Sequence, residues 1–237
     1  MTLAALVTVM VALLLAIPAR AAEETSPDAG RVLSPAMNSY YLEADPDFWR
    51  DTFERDGREL YAQRQAIVQA LDLQPGQVVA DVGAGSGFFS LLFAQAVGPT
   101  GRVYAVDISQ PFLEAIDERA TQADLSQITT VHNDQQHLGL PDNSVDLVFT
   151  ADSYHHFEFP HAMLAAIKQA LRPGGILAII DFRTDPAVAS AWTQGHVRAG
   201  KAQVIKEVES AGFRLMDDAA WLHKNFFLRF RAPSPDA

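Results

Sequence analysis

The stretch that decides the fold is Val79-Ala80-Asp81-Val82-Gly83-Ala84-Gly85-Ser86-Gly87-Phe88. An apolar run enters a glycine-rich turn and an apolar helical pattern leaves it, so the stretch reads as strand, turn and helix start. Its glycines permit positive φ and let a ligand approach the backbone closely. The helix start adds unpaired N–H groups at the same place. A dinucleotide fingerprint needs glycine at the first, third and sixth loop positions. Those positions hold Gly83, Gly85 and Phe88, so the third glycine is missing. Asp81, two residues before Gly83, suits a ligand with a cationic amino group better than a pyrophosphate. The bland alternative is a purely structural glycine turn.

Outward from this loop the chain alternates strand and helix. Strands are expected at 78–82, 103–106, 128–132, 145–150 and 176–180, and a final strand pair at 213–216 and 226–230. Helices are expected at 88–96, 110–123, 161–171 and 201–211. Continuous apolar runs alternating with helices mean an α/β fold, a parallel sheet covered on both faces. Upstream, Phe48, Phe53, Leu60, Ile67 and Leu71 recur at helical spacing, which predicts one helix over 47–73, stopped by Gln74-Pro75-Gly76. The organisation expected is a leader over 1–21, a linker over 22–43, a helical cap over 44–73 and the ligand-binding domain over 74–237.

Composition bounds the function. The chain has 237 residues, 49% of them hydrophobic, enough for one large core. Its net charge of −11, with no basic run, argues against a nucleic-acid partner. With no cysteine there is no disulfide, thiolate metal site or thiol nucleophile. Residues 3–17 are almost wholly apolar, Pro18 breaks the run, and Ala19-Arg20-Ala21 offers the small residues of a cleavage site. Too short to span a bilayer comfortably, this run reads as a signal peptide and implies a periplasmic or secreted protein. If translation starts instead at Met37, the protein is cytoplasmic. No stable membrane span is expected, and nothing in the pattern sets an oligomeric state.

Two further groups of residues lie at strand ends. Asp107 ends the second strand about 20 residues beyond the glycine loop, where an acid accepts hydrogen bonds from both ribose hydroxyls. Alone it is more often a turn or helix-capping residue, since Ser109 and Pro111 follow. Asn133-Asp134-Gln135 ends the third strand and carries donors and acceptors suited to an adenine edge. Open α/β sheets bind ligands at these carboxyl ends.

Over 73–230 the chain resembles the class I S-adenosylmethionine-dependent methyltransferases. Asp81-Val82-Gly83-Ala84-Gly85-Ser86-Gly87 resembles the family's first motif. Asp107 matches its ribose-binding acid and Asp134 the residue near adenine. Asp146-Leu147-Val148-Phe149-Thr150-Ala151 resembles its fourth-strand motif, and Leu171-Arg172-Pro173-Gly174-Gly175-Ile176-Leu177 the loop before strand five. The resemblance implies a Rossmann-like, mostly parallel seven-stranded sheet with an antiparallel last strand. It implies S-adenosylmethionine as cofactor, held by Asp81, Gly83, Gly85, Gly87, Asp107, Ile108, Asp134, Gln135 and Ala151. Ser153-Tyr154-His155-His156-Phe157 is similar to small-molecule methyltransferases, including the ubiquinone/menaquinone C-methyltransferases.

That class of reaction is an in-line displacement at a sulfonium carbon, in which the protein mainly aligns the acceptor and excludes water. His155 and His156 are the candidate catalytic groups, as a general base or else as residues that shape the loop. Tyr154, His196 and Arg198 are the candidate substrate contacts, with Arg198 suited to an anionic acceptor. Asp152 and Asp181 end adjacent strands as metal ligands would, but Phe182-Arg183 follows where a third ligand should stand. No metal is therefore expected, and Asp181 is expected to pair with Arg183. Arg58, Glu59, Tyr61 and Arg64 lie in the cap as lid candidates; for Arg58 and Arg64 a solvated helix face is the preferred reading. Phe48, Trp49 and Phe53, at helical spacing, read as core first and pocket wall second. The leading function is methyl transfer to a small organic acceptor. The alternative is a non-catalytic protein of the same fold that binds S-adenosylmethionine or S-adenosylhomocysteine.

Overall fold

A computed structural model describes residues 28–234. The expected leader and the first residues of the expected linker lie outside this range. An N-terminal layer holds a 3-10 turn at Pro35–Met37, then α1 (Ser39–Leu42), α2 (Pro46–Phe53), α3 (Glu59–Ala62) and α4 (Arg64–Leu71). There follow β1 (Val78–Val82), α5 (Phe88–Val97), β2 (Arg102–Asp107), α6 (Gln110–Gln122), β3 (Ile128–His132) and β4 (Val145–Ala151). A 3-10 turn at Tyr154–His156 leads to α7 (Pro160–Ala170), β5 (Leu171–Phe182), α8 (Ala191–His196), α9 (Lys201–Ser210), β6 (Arg214–Ala219) and β7 (Asn225–Arg231).

The seven strands run in the order β3-β2-β1-β4-β5-β7-β6. All pairs through β5 are parallel; β7 is antiparallel to both of its neighbours. Strand residues alternate between two cores, as the pleat demands. Val79, Leu147, Phe149, Ala178, Ile180 and Phe227 bury against Leu60, Ile67, Phe89 and Phe93. Ala80, Val82, Val148, Leu177, Ile179 and Leu228 bury against Leu164, Ile167, Val204 and Val208. The strand order reverses direction between β1 and β4, and the glycine loop leaves β1 at that switch point. Open sheets of this kind leave a crevice there.

Three expectations change. The single helix over 47–73 is three helices. Asp45 caps α2 by accepting the N–H groups of Asp47 and Phe48, and the chain breaks again around Asp56-Gly57, residues that favour turns. Asp72, at φ 51°, ends α4 before Gln74-Pro75-Gly76. The loop over 172–175 lies inside β5 as an irregularity: Val145 pairs with Leu171, and Leu147 with Ile176. Finally, the described part of the expected linker is docked. Val32 N–H donates to the Glu158 carbonyl at 2.8 Å, and Asn38 is buried. Among the described residues no helix is long and apolar enough to cross a membrane.

Candidate active site

A cavity of about 940 Å³, counted out to its open mouth, lies at the carboxyl ends of β1, β2, β3 and β4. Asp81, Gly83, Gly85, Asp107, Ile108, Asp134, Gln135 and Ala151 all line it. Gly87 does not. Its φ is +77°, and a Cβ there would come within 2.6 Å of Ile116 Cγ1, so it serves the packing of α5 on α6. Gly85 (φ +55°) lines the cavity beneath Phe53 of α2, whose ring a Cβ on it would meet at 3.1 Å.

The acids are held in different ways. Asp81 is buried and accepts the Ser90 hydroxyl at 2.6 Å. Burial pushes its carboxyl up to about 7, against the Ser90 hydrogen bond. Asp107 accepts the N–H of Gly85 at 2.8 Å on one oxygen and that of Ser109 at 2.9 Å on the other. A carboxylate oxygen carries two lone pairs, so one on each remains for a ligand hydroxyl. Burial raises the Asp107 pKa, and these N–H groups oppose the rise. Asp134 is exposed. Its slight burial is outweighed by the N–H groups of Gln136 and His137 and by the His137 ring, which hold its pKa below the usual carboxylate value.

The residues after β4 divide. Of the two candidate catalytic histidines only His156 lines the cavity; His155 lies behind it, 2% exposed, with ring centroids 4.2 Å apart. His155 Nδ1 stands 2.7 Å from Asp181 Oδ1, and its backbone N–H donates to Asp181 Oδ2 at 2.9 Å. Burial disfavours a charge on His155, yet the Asp181 carboxylate outweighs it and the pKa is raised. Asp181 therefore pairs with His155 and not with Arg183, whose Nε donates instead to the Asn225 carbonyl at 3.0 Å. Burial and the neighbouring His155 and His196 press the pKa of His156 well below the ordinary value, so its ring is uncharged.

Tyr154 and Arg198 stand away from the cavity. Tyr154 is fully buried and donates to Glu207 at 2.7 Å, and Arg198 grips the same carboxylate with both terminal nitrogens at 3.0 and 3.2 Å. Arg198 thus already has its anion inside the protein. Burial alone would raise the Glu207 pKa, but hydrogen bonds from Arg198, Gln203 and Tyr154 hold it below its usual value. His196, at the end of α8, touches the site through His156, with the two Nε2 atoms 3.4 Å apart.

The cap supplies what periodicity does not show. Arg58 is not on a solvated face: it reaches the buried Asp152 at 2.8 Å and lies over the rings of Phe53 and Phe88. Asn225 donates to the other Asp152 oxygen, so neither Asp152 nor Asp181 has the free carboxylate of a metal ligand. Glu59 accepts three N–H groups at 223–225, and Glu54 pairs with Arg119 on α6. Arg64 lies over Tyr61, outside the cavity lining. Of the three aromatic residues of α2, Phe53 lines the cavity, Trp49 stands between Tyr41 and Phe53, and Phe48 is exposed. Asn38 and Tyr41 also line the cavity. Nothing in the pattern around them marks them, because each reaches the site through contacts more than 100 residues away in the chain.

Sheet order and a crevice at the switch point are those of the Rossmann-like methyltransferase fold. More particularly, residues 80–179 match the family described as methyltransferase domain. A demethylmenaquinone methyltransferase from Listeria monocytogenes is 32% identical over 118 residues, covering 50% of each chain. This chain thus spans about half the length of the curated relatives it matches. A solved S-adenosylmethionine-dependent methyltransferase from Aquifex aeolicus is 25% identical, with TM-score 0.72, over 80% of this chain and 100% of that one. A possible exported protein from Bordetella parapertussis shares the fold, at 21% identity and TM-score 0.59, over 86% of this chain and 81% of that one.

Proposed function

We propose that the chain transfers a methyl group from S-adenosylmethionine to a small organic acceptor. The observation that carries this reading is the cavity, with the glycine loop, a buried acid at Asp81 and an unfilled lone pair on each oxygen of Asp107 in one crevice. Asp81 would hold the cationic amino group of the cofactor, Asp107 its ribose hydroxyls, and Ile108, Asp134 and Gln135 its adenine. When bound, the cofactor supplies a methyl group on a sulfonium centre, electrophilic without further activation.

The protein's share is alignment and exclusion of water. Phe53, held from α2 over the glycine loop, closes one side of the cavity, and the Arg58–Asp152 pair fastens that layer to the end of β4. Tyr41, Phe53, Phe88, Phe112 and Phe157 make much of the wall apolar, which suits a flat, largely apolar acceptor. The name of the Listeria relative, a demethylmenaquinone methyltransferase, supports an acceptor of that class. His156 stands at the wall beside Ala151, Asp152 and Ser153 with an uncharged ring that carries a lone pair. The apolar leader over 1–21 supports export from the cytoplasm, which N-terminal sequencing of the mature protein tests.

Binding and turnover are tested separately. The folded protein should bind S-adenosylmethionine and S-adenosylhomocysteine and not NAD; binding of neither sulfur ligand would overturn the reading. Radiolabelled methyl should then pass to a component of a metabolite extract, and Asp107→Ala should abolish the transfer. Cofactor binding without transfer to any extract would favour the non-catalytic alternative.

A further inference from the structure

Three imidazoles meet beside the cavity. One ring nitrogen from each of His155, His156 and His196 lies within 4.8 Å of those of the other two. His155 and His156 come from the 3-10 turn after β4, and His196 from the last residue of α8.

The hydrogen bonds around them decide which nitrogens point inward. The Asn38 amide N–H₂ donates to the His156 carbonyl and to Glu158, which turns its Oδ1 toward His156 Nδ1 at 3.0 Å. That nitrogen must therefore carry the proton, and His156 Nε2 is left with a lone pair. Asp181 does the same for His155: its carboxylate accepts a hydrogen bond from Nδ1–H, and His155 Nε2 is left buried with no hydrogen-bond partner among the described residues. Trp192 stacks on His196 at 4.4 Å and holds that ring in place.

The Nε2 atoms of His156 and His196 stand within hydrogen-bond distance, so a shared proton or a cation can lie between them. Their separation of 3.4 Å fits a metal cation. Zinc–nitrogen bonds of about 2.0–2.1 Å put two ligands of a tetrahedral ion about 3.3 Å apart. A carboxylate or amide oxygen on the far nitrogen of a liganding histidine is the usual outer support of such sites, and Asp181 and Asn38 supply both.

We propose that His155, His156 and His196 bind one zinc-type divalent ion through their Nε2 atoms. The sequence reading weighed carboxylates as ligands and expected no metal; the ligand set here is all imidazole. Three protein ligands leave a fourth position for water or for an acceptor oxygen. Because His156 also lines the cavity, the ion would stand at its wall and would favour the ionised form of an acceptor hydroxyl. That role rests on the methyltransferase reading, whereas the binding itself does not.

The test is titration of the untagged, chelator-stripped chain with Co²⁺, followed by displacement with Zn²⁺. The expected result is one equivalent of Co²⁺ with the intense visible bands of tetrahedral coordination, bleached by one equivalent of Zn²⁺. His196→Ala, on a half-exposed ring, should remove these bands while the far-ultraviolet circular dichroism stays native. Asp181→Asn should weaken Zn²⁺ binding roughly 10–100-fold. Absence of saturable one-to-one binding, or bands unchanged in His196→Ala, would overturn the proposal. Neither readout uses S-adenosylmethionine, so failure of the metal site and failure of the methyltransferase reading are distinguishable.

Discussion

Single residues in this site are tuned by what surrounds them. Burial pushes the Asp81 carboxyl up to about 7, and in the proposed function it would meet an ammonium group. The sign follows from linkage. Below pH 7 the carboxyl of the free protein is protonated, so binding a cation must release a proton. Affinity for S-adenosylmethionine should therefore fall about tenfold per pH unit below 7 and level off above it. Calorimetry over roughly pH 5 to 8 reads this slope, and Asp81→Asn should flatten it. Arg198 calls for the opposite kind of measurement. Its guanidinium is spent on Glu207 inside the protein, so Arg198→Ala should cost about 3 kcal/mol or more of stability by urea denaturation. A raised KM with unchanged stability would return it to the substrate site. The residue types of Asp81 and Asp107 were legible in the sequence because their strand-end positions follow from local pattern. Tyr154 and Arg198 misled because Glu207, which draws both away, lies on α9, an element that pattern reading places only by its length and phase.

Elements are set by local periodicity until a neighbour intervenes. The β1–loop–α5 unit is fully local: four apolar strand residues around Asp81, three glycines and an apolar helix. Gly87 shows its tolerance limit. Alanine there needs a left-handed backbone and drives its methyl into Ile116, so Gly87→Ala should cost roughly 2–4 kcal/mol. A drop in the urea midpoint without a change in slope is the expected reading. The cap was less legible. Helical spacing over 47–73 is real, but Asp56-Gly57 breaks it and α3 turns so that Glu59 can accept the N–H groups ahead of β7. β5 likewise begins earlier than its apolar run, because Leu171 finds a partner in Val145 before the irregularity at 172–175.

At the scale of the whole molecule, the cavity joins the N-terminal layer to the sheet: Asn38 and Tyr41, Arg58, the strand ends, and the turn after β4. A ligand seated there binds only the folded state. At about 100 times its dissociation constant, S-adenosylmethionine should add about 2.7 kcal/mol, raising Tm by roughly 5–10 °C. S-adenosylhomocysteine should do the same at equal saturation, and thermal denaturation in the presence of each ligand checks both. The shift should disappear in Asp107→Ala.

The sequence by itself determined the alternation of strands and helices, the switch-point loop and the acids that end β1, β2 and β3. Each of these depends on residues within a few positions of one another, and hydrophobic periodicity and glycine placement report such short-range physics directly. Only the tertiary structure decided that Asp181 orients His155, that Arg58 neutralises Asp152, that Glu207 absorbs Arg198, and that His196 comes to lie against His156. A charge or a lone pair chooses its partner by distance and burial. Those are set when β4, β5, α8 and the N-terminal layer pack together, not by spacing along the chain.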